Sequence, residues 1–256
     1  MKRIRQAGIL LAFAVNMIFC QTMAAGGMEN PAQASAGLGQ SANDMTARNV
    51  EFERQGAALI EDLKSGILSG GYIKTGVSFD SAEAAHTFGK YFYRYIYLGR
   101  EPVTLHSANT GGKYYILLSC ADPERAAQQH GQVRDRLAQI VEAGQGMGDQ
   151  EKAEFFYDWI YNNVTYDRTL QNKTIYDAVM EGSAVCWGYV SAYLSLCRTA
   201  GLVCEPVYRA DHAWNRVWLD GGWKYCDITW DKCLGSSTWK FLTQDEMDAD
   251  PMHNTL

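Results

Sequence analysis

A thiol, an imidazole and a carboxylate follow one another in the C-terminal third of this chain. They are Cys186 in Ala184-Val185-Cys186-Trp187-Gly188-Tyr189, His212 in His212-Ala213-Trp214-Asn215, and Asp227 in Tyr225-Cys226-Asp227. Gathered in one site, these three types serve nucleophilic acyl transfer. The sulfur attacks a carbonyl, the imidazole moves the proton, and the carboxylate fixes the imidazole's tautomer and supports its charged form.

The elements that must position them can be read from the neighbouring residues. Beyond Trp187, the residues Val190, Tyr193, Leu194, Cys197 and Ala200 recur at helical spacing, and Gly201 follows as a C-terminal cap. Cys186 therefore falls at or just before a helix start, where free N–H groups and the positive end of the helix dipole favour an anionic sulfur. Two strands follow, Cys204 to Arg209 and His212 to Leu219, then a third from Trp223 to Thr229 after the turn-forming Asp220-Gly221-Gly222. His212, Trp214, Arg216 and Trp218 share one strand face. A two-residue Asp220-Gly221 turn pairs Leu219 with Gly222 and Trp214 with Asp227. That leaves Asp227 diagonal to His212, roughly 7 to 8 Å away at Cα and within reach of a hydrogen bond. A Gly221-Gly222 turn would instead bring Asp231 opposite the histidine, so Asp227 is the first candidate acid and Asp231 the runner-up.

From about Gly148 to Asp231 the chain resembles the transglutaminase-like superfamily, in particular its secreted bacterial members. The likeness runs through Asp149-Gln150-Glu151-Lys152-Ala153, Asp158-Trp159-Ile160, Asn163-Val164-Thr165-Tyr166-Asp167, Tyr176, Glu181-Gly182-Ser183-Ala184-Val185-Cys186, His212-Ala213-Trp214-Asn215, Leu219-Asp220-Gly221 and Asp227-Ile228-Thr229-Trp230-Asp231. It implies an α+β, papain-like fold, with the cysteine on a helix packed against an antiparallel sheet that carries the histidine and the aspartate. Many bacterial relatives carry Gln directly after the cysteine. Trp187 in this chain looks more like the Cys-Trp pair of animal transglutaminases and papain-like proteases. Trp187 and Trp214 are the candidate substrate-binding residues, and the Cys186 backbone N–H is expected to help hold the oxyanion.

Residues 1–25 read as a removable export signal. Lys2, Arg3 and Arg5 precede an apolar run from Ala7 to Cys20, and small residues stand at Ala24 and Ala25. Taking those three cations from the 23 Lys+Arg leaves 20 against 29 Asp+Glu, a net of about −9 without any basic cluster. That balance argues against nucleic acid or an anionic membrane surface as a partner, and the expected partner is a protein or peptide substrate. Six cysteines remain beyond the signal. Cys197 with Cys204 and Cys226 with Cys233 are separations that allow disulfides in an exported protein, while ordinary thiols packed as small core residues are the equal alternative. No nucleotide-binding loop, Ca²⁺ loop, haem motif or metal-ligand spacing is present in the sequence, so no cofactor or metal is expected.

Residues 26–49, rich in Gly, Ala, Ser, Gln and Asn, read as a flexible linker. A small α/β accessory region spans 50–146. Its expected elements are a helix from Val50 to about Lys64, a helix capped by Asp80 or Ser81 and running towards Tyr95, a strand from Lys113 to Cys120 and a helix from Pro123 to Val141. Gly144-Gln145-Gly146-Met147-Gly148 is the expected joint, with Asp149 capping the first helix of a catalytic region, 147–256. His86, His106, His130 and His253 lack a matching thiol or carboxylate context in sequence and read as surface or satisfied core residues. The resulting expectation is a secreted cysteine enzyme that forms a thioester from a glutamine amide or peptide carbonyl and resolves it by transamidation or hydrolysis. A cysteine peptidase or amidase acting on cell-wall or extracellular peptides, and a catalytically silent protein-binding module, are the rival readings.

Overall fold

The computed structural model describes residues 41–66, 68–251 and 253. The expected export signal, and residues 26–40 of the expected linker, lie outside them. The chain divides into two compact units, Met1–Tyr97 with Glu101–Ala127, and Leu98–Arg100 with Gln128–Leu256.

In the first unit, helix α1 (Ser41–Ser65) is followed by β1 (Leu68–Ser69), β2 (Tyr72–Phe79), α2 (Ala82–Tyr91), a π-helical turn (Phe92–Ile96), β3 (Val103–Thr110) and β4 (Lys113–Cys120). Helix α1 begins nine residues before Val50, so residues 41–49 are helical and not flexible linker. Extending a helix already anchored by Phe52, Leu59, Ile60 and Leu63 costs far less than starting one, which lets a polar stretch join it. Ser81 is the cap of α2, its hydroxyl accepting the Ala84 N–H at 3.1 Å. The strands form an antiparallel sheet in the order β1-β2-β4-β3. Strand β4 lies where the sequence puts it. Strands β2 and β3 carry weaker signals: β2 has an irregular register between Lys74 and Ser78, and β3 turns polar after Leu105.

Helix α3 (Pro123–Ala143) runs unbroken across the boundary between the units. The division therefore falls inside a helix, upstream of the Gly144–Gly148 joint expected from the sequence. Ala126 and Ala127, in its first turns, belong to the apolar core of the first unit.

The second unit continues with α4 (Asp149–Asn163), β5 (Thr165–Tyr166), α5 (Ile175–Met180), β6 (Ser183–Ala184), α6 (Cys186–Thr199), β7 (Cys204–Arg209), β8 (His212–Leu219), β9 (Gly222–Cys226), α7 (Ile228–Leu234) and α8 (Gln244–Ala249). The fold is α+β. An antiparallel sheet, β7-β8-β9, packs against α6. Helix α6 is apolar on nearly every side, as a helix buried between two layers must be, and its buried residues include Tyr189, Val190, Tyr193, Leu194, Leu196 and Cys197. On one side Tyr193 and Tyr189 donate their hydroxyls to the Ala153 and Val164 carbonyls, at 3.3 and 2.9 Å. On the other, the Asn215 amide of β8 donates to the Val190 carbonyl at 3.2 Å.

Two expected boundaries move. Gly148, not Asp149, is the cap of α4, and its N–H is taken by Glu151 at 2.8 Å. Strand β9 stops at Cys226, not Thr229, because the Asp227 side chain caps a new helix that ends at the left-handed Gly235. The six described cysteines are free thiols, with Cys197 and Cys204 hydrogen-bonded to each other in the core.

Gly188 sets how closely α6 approaches the chain entering it. A Cβ there would sit 2.4 Å from the Ala184 Cβ and 3.1 Å from the Thr174 carbonyl oxygen, both fixed to backbone. Gly188→Ala is expected to lower stability by about 2 kcal/mol through overpacking, read as a fall in Tm.

Candidate active site

Cys186 is the first residue of α6, directly after the extended cap residue Val185, and is half-buried. The chain leading to it is held by β6, which pairs in parallel with β5 through Thr165 with Ser183 and Tyr166 with Ala184. A second hold comes from Asp167. Its carboxylate accepts the N–H groups of Thr169, Gln171 and Asn172 at 2.8–2.9 Å and the Thr169 hydroxyl at 2.6 Å. The Thr169 hydroxyl and these backbone N–H groups hold its pKa down at about 2. The loop so formed presents the Asn172 carbonyl to the Val185 N–H at 2.8 Å, one residue before the cysteine.

His212 and Asp227 are brought together by the β8–β9 hairpin. Asp220 and Gly221 both take positive φ, 50° and 80°, the type I′ geometry that matches the twist of the flanking strands. Leu219 faces Gly222 and the pairing runs down to Asn215 with Cys226, so the register is the one an Asp-Gly turn requires. Just past β9, Asp227 Oδ1 accepts the Trp230 N–H at 3.0 Å and Oδ2 accepts His212 Nε2–H at 2.5 Å. The carboxyl is fully buried. Burial pushes its pKa up, but hydrogen bonds from His212 and from His253 outweigh that, and the net shift is downward. Burial likewise pushes the His212 ring down. Hydrogen bonds and charge from Asp227 and then Cys186 overcome it and raise the ring to about 9.

Cys186 and Asp227 are thus both hydrogen-bond partners of one imidazole. The runner-up acid is elsewhere: Asp231 accepts the Tyr157 hydroxyl at 2.5 Å, the Ser236 hydroxyl at 2.7 Å and the Trp239 N–H. Trp187 is half-buried and stacks on Tyr208, with ring centroids 5.4 Å apart. Trp214 is 1% exposed, which leaves no indole face for a substrate. It packs beside His212 and His253, with ring centroids at 5.7 and 4.8 Å, and so corrects the expectation of a substrate contact there. Trp230 covers the other part of the histidine surface, nearly parallel to the ring at 4.8 Å.

The residue that sequence reasoning missed is His253. It is fully buried, and its Nε2 lies 2.8 Å from the same Asp227 Oδ2 that His212 uses. The sole nearby signal is the spacing of Asp250 and His253, three residues apart, and that pattern carries no chemistry by itself. His212, Asp227 and His253 are metal-ligand types with ligand atoms within 4.8 Å of one another. Both Nε2 atoms are already engaged with the carboxylate, so a cation here would have to displace two hydrogen bonds.

Residues 135–228, which include Cys186, His212 and Asp227, match the family model of the transglutaminase-like superfamily. This segment resembles a transglutaminase-like core. The mouse protein named kyphoscoliosis peptidase is 30% identical over 112 residues, covering 35% of this chain and 17% of the relative. Its human counterpart is 29% identical over 104 residues, covering 32% and 16%. The chain thus spans about one-sixth of the length of the curated relatives it matches. A crystal structure described as a TGase superposes with a TM-score of 0.33 at 16% identity, covering 62% of this chain and 50% of that one.

Asp227 and Asp231 differ in surroundings. Asp231→Ala would strand the buried Tyr157 hydroxyl and release the half-buried Ser236 side chain. It is expected to cost about 3 kcal/mol in urea unfolding while the His212 ring keeps its raised pKa.

Proposed function

We propose that the chain is a cysteine acyl-transfer enzyme in which Cys186 is the nucleophile, His212 the general acid and base, and Asp227 the residue that orients His212. The observation that carries this reading is the single imidazole hydrogen-bonded to both the thiol and a buried carboxylate. The Cys186 thiol passes its proton to His212 and its sulfur adds to a glutamine side-chain or peptide carbonyl, and the C–N bond breaks as His212 gives that proton to the departing amine. A thioester remains. Water or a second amine then adds to the thioester carbonyl, His212 takes the proton of the incoming nucleophile, and the sulfur leaves. The Cys186 N–H, unpaired within its helix as a first-turn donor, is the oxyanion donor this scheme uses.

Two resolutions of the thioester follow from the same set, and the peptidase name of the curated relatives favours water. We read the natural substrate as a protein or peptide, and the chain as exported by its N-terminal signal, with no nucleic-acid partner and no cofactor. A silent binding module would have no need of a buried carboxylate and imidazole aligned on a thiol.

Intact-mass spectrometry of a glutamine-rich protein incubated with a primary amine tests the reaction. Amine incorporation marks transamidation, and new fragments or single-unit deamidation gains mark hydrolysis. Cys186→Ala is expected to abolish either while leaving the fold intact, and full activity in that variant would sink the proposal. Because the His212 proton is retained up to about 9, kcat/KM is expected to fall as pH rises through that value, where the leaving amine loses its proton donor. In Asp227→Asn that limb moves down towards the ordinary imidazole value of about 6.5, with activity reduced on the order of a thousandfold.

A further inference from the structure

We propose that His253 is a positioning residue of this site, anchoring the Asp227 carboxylate through a second hydrogen bond to the oxygen that His212 uses; the inference rests on the reading of Cys186, His212 and Asp227 as the catalytic set. Asp227 Oδ2 accepts two imidazole N–H groups, from His212 at 2.5 Å and from His253 at 2.8 Å. The two donors are not equivalent. The His212 side chain is 15% exposed and faces the thiol, and it is the ring that must change protonation and shift during a reaction. His253 is fully enclosed.

Every side of the His253 ring is fixed. Trp230, Trp214 and Trp239 pack on it with centroids at 4.3, 4.8 and 5.3 Å. Its Nδ1 lies 3.2 Å from Asp250 Oδ2, an oxygen that also accepts the Trp239 indole N–H. Its own N–H donates to the Asp250 carbonyl at 3.1 Å, and the adjoining Pro251 carbonyl accepts from Arg209 of β7 at 3.1 Å. A carboxylate held only by the ring it serves would turn with that ring. Oδ2 instead has a rigid second donor, and Oδ1 has the Trp230 N–H. The His253 ring also occupies the space beside a fully buried charge, where water would otherwise enter and screen the Asp227–His212 pair.

The charged and titratable groups facing His212 are Cys186, Asp227 and His253, and those facing His253 are Asp227, Asp250 and His212. Removing His253 frees the carboxylate to turn and admits water, so its hold on the His212 proton weakens. A residue that merely filled space would leave the His212 titration where it is.

The test is a pH titration of the His212 ring by NMR in the full chain with ¹⁵N-labelled histidine. In His253→Ala the midpoint is expected about one unit below the parent, a tenfold loss of proton affinity. In His253→Gln, whose amide can still donate to Oδ2, most of that loss is restored, whereas His253→Leu, of similar bulk but without a donor, behaves like His253→Ala. The Gln and Leu variants carry the comparison if the Ala variant does not fold. A His212 midpoint unchanged or raised in folded His253→Leu overturns the proposal, a rise meaning that His253 competes with His212 for the carboxylate. The underlying reading fails separately, if iodoacetate alkylation of Cys186 in the parent is indifferent to His212→Ala.

Discussion

A carboxylate with no access to water must be surrounded by donors, and Asp227 is where this requirement organises the second unit. Its burial would cost several kcal/mol if the charge were left unpaired. Three separate elements meet that cost. Strand β8 supplies His212, the start of α7 supplies the Trp230 N–H and the segment after α8 supplies His253, while the Asp227 backbone N–H is tied to the Trp239 carbonyl at 3.0 Å. Each of these donors stays in place because something packs behind it. The tryptophans at 214, 230 and 239 are therefore best understood as the walls of a low-dielectric enclosure, in which a hydrogen bond to an ion is worth more than at the surface.

The thiol end of the site is built differently. Cys186 is placed by backbone, through the β5–β6 pair, the Asp167-centred loop and the close approach allowed by Gly188. Asp167 and Asp227 solve opposite problems: one folds a solvent-side loop around itself, the other draws separate elements inward. Their pKa values are held low by hydrogen bonds in both cases, but only at Asp227 is there a desolvation penalty of consequence to overcome.

Much of this was legible in the sequence because it is governed by short-range rules. The start of α6 at Cys186, strands β7 and β8 and the Asp-Gly turn are all written in local periodicity and turn chemistry. That turn alone decides between Asp227 and Asp231. What was not legible depends on distant partners or on competition between signals. Trp214 reads as a strand residue facing the site, yet residues from α8 and beyond bury it. Ile228 and Thr229 have strand-like side chains, yet the Asp227 cap commits them to a helix. His253 lies 26 residues from its partner, across two helices and the loops that follow them, with no periodic pattern to connect them. In the first unit, β2 and β3 were hidden by an irregular register and by polar outward faces.

The order of these parts along the chain bears on how the site comes into being. A polypeptide emerges from its amino end, and the helix carrying Cys186 together with α4 and α5, on which it rests, is complete long before residues 250–253 are made. The thiol exists first, the imidazole next, then the carboxylate, and last the ring that encloses the carboxylate. Until that segment docks, Asp227 lacks the His253 donor and Trp214 lacks its contact with that ring. The parts of the candidate site are thus joined in stages, and a chain not yet past residue 253 presents a sulfur without its full retinue.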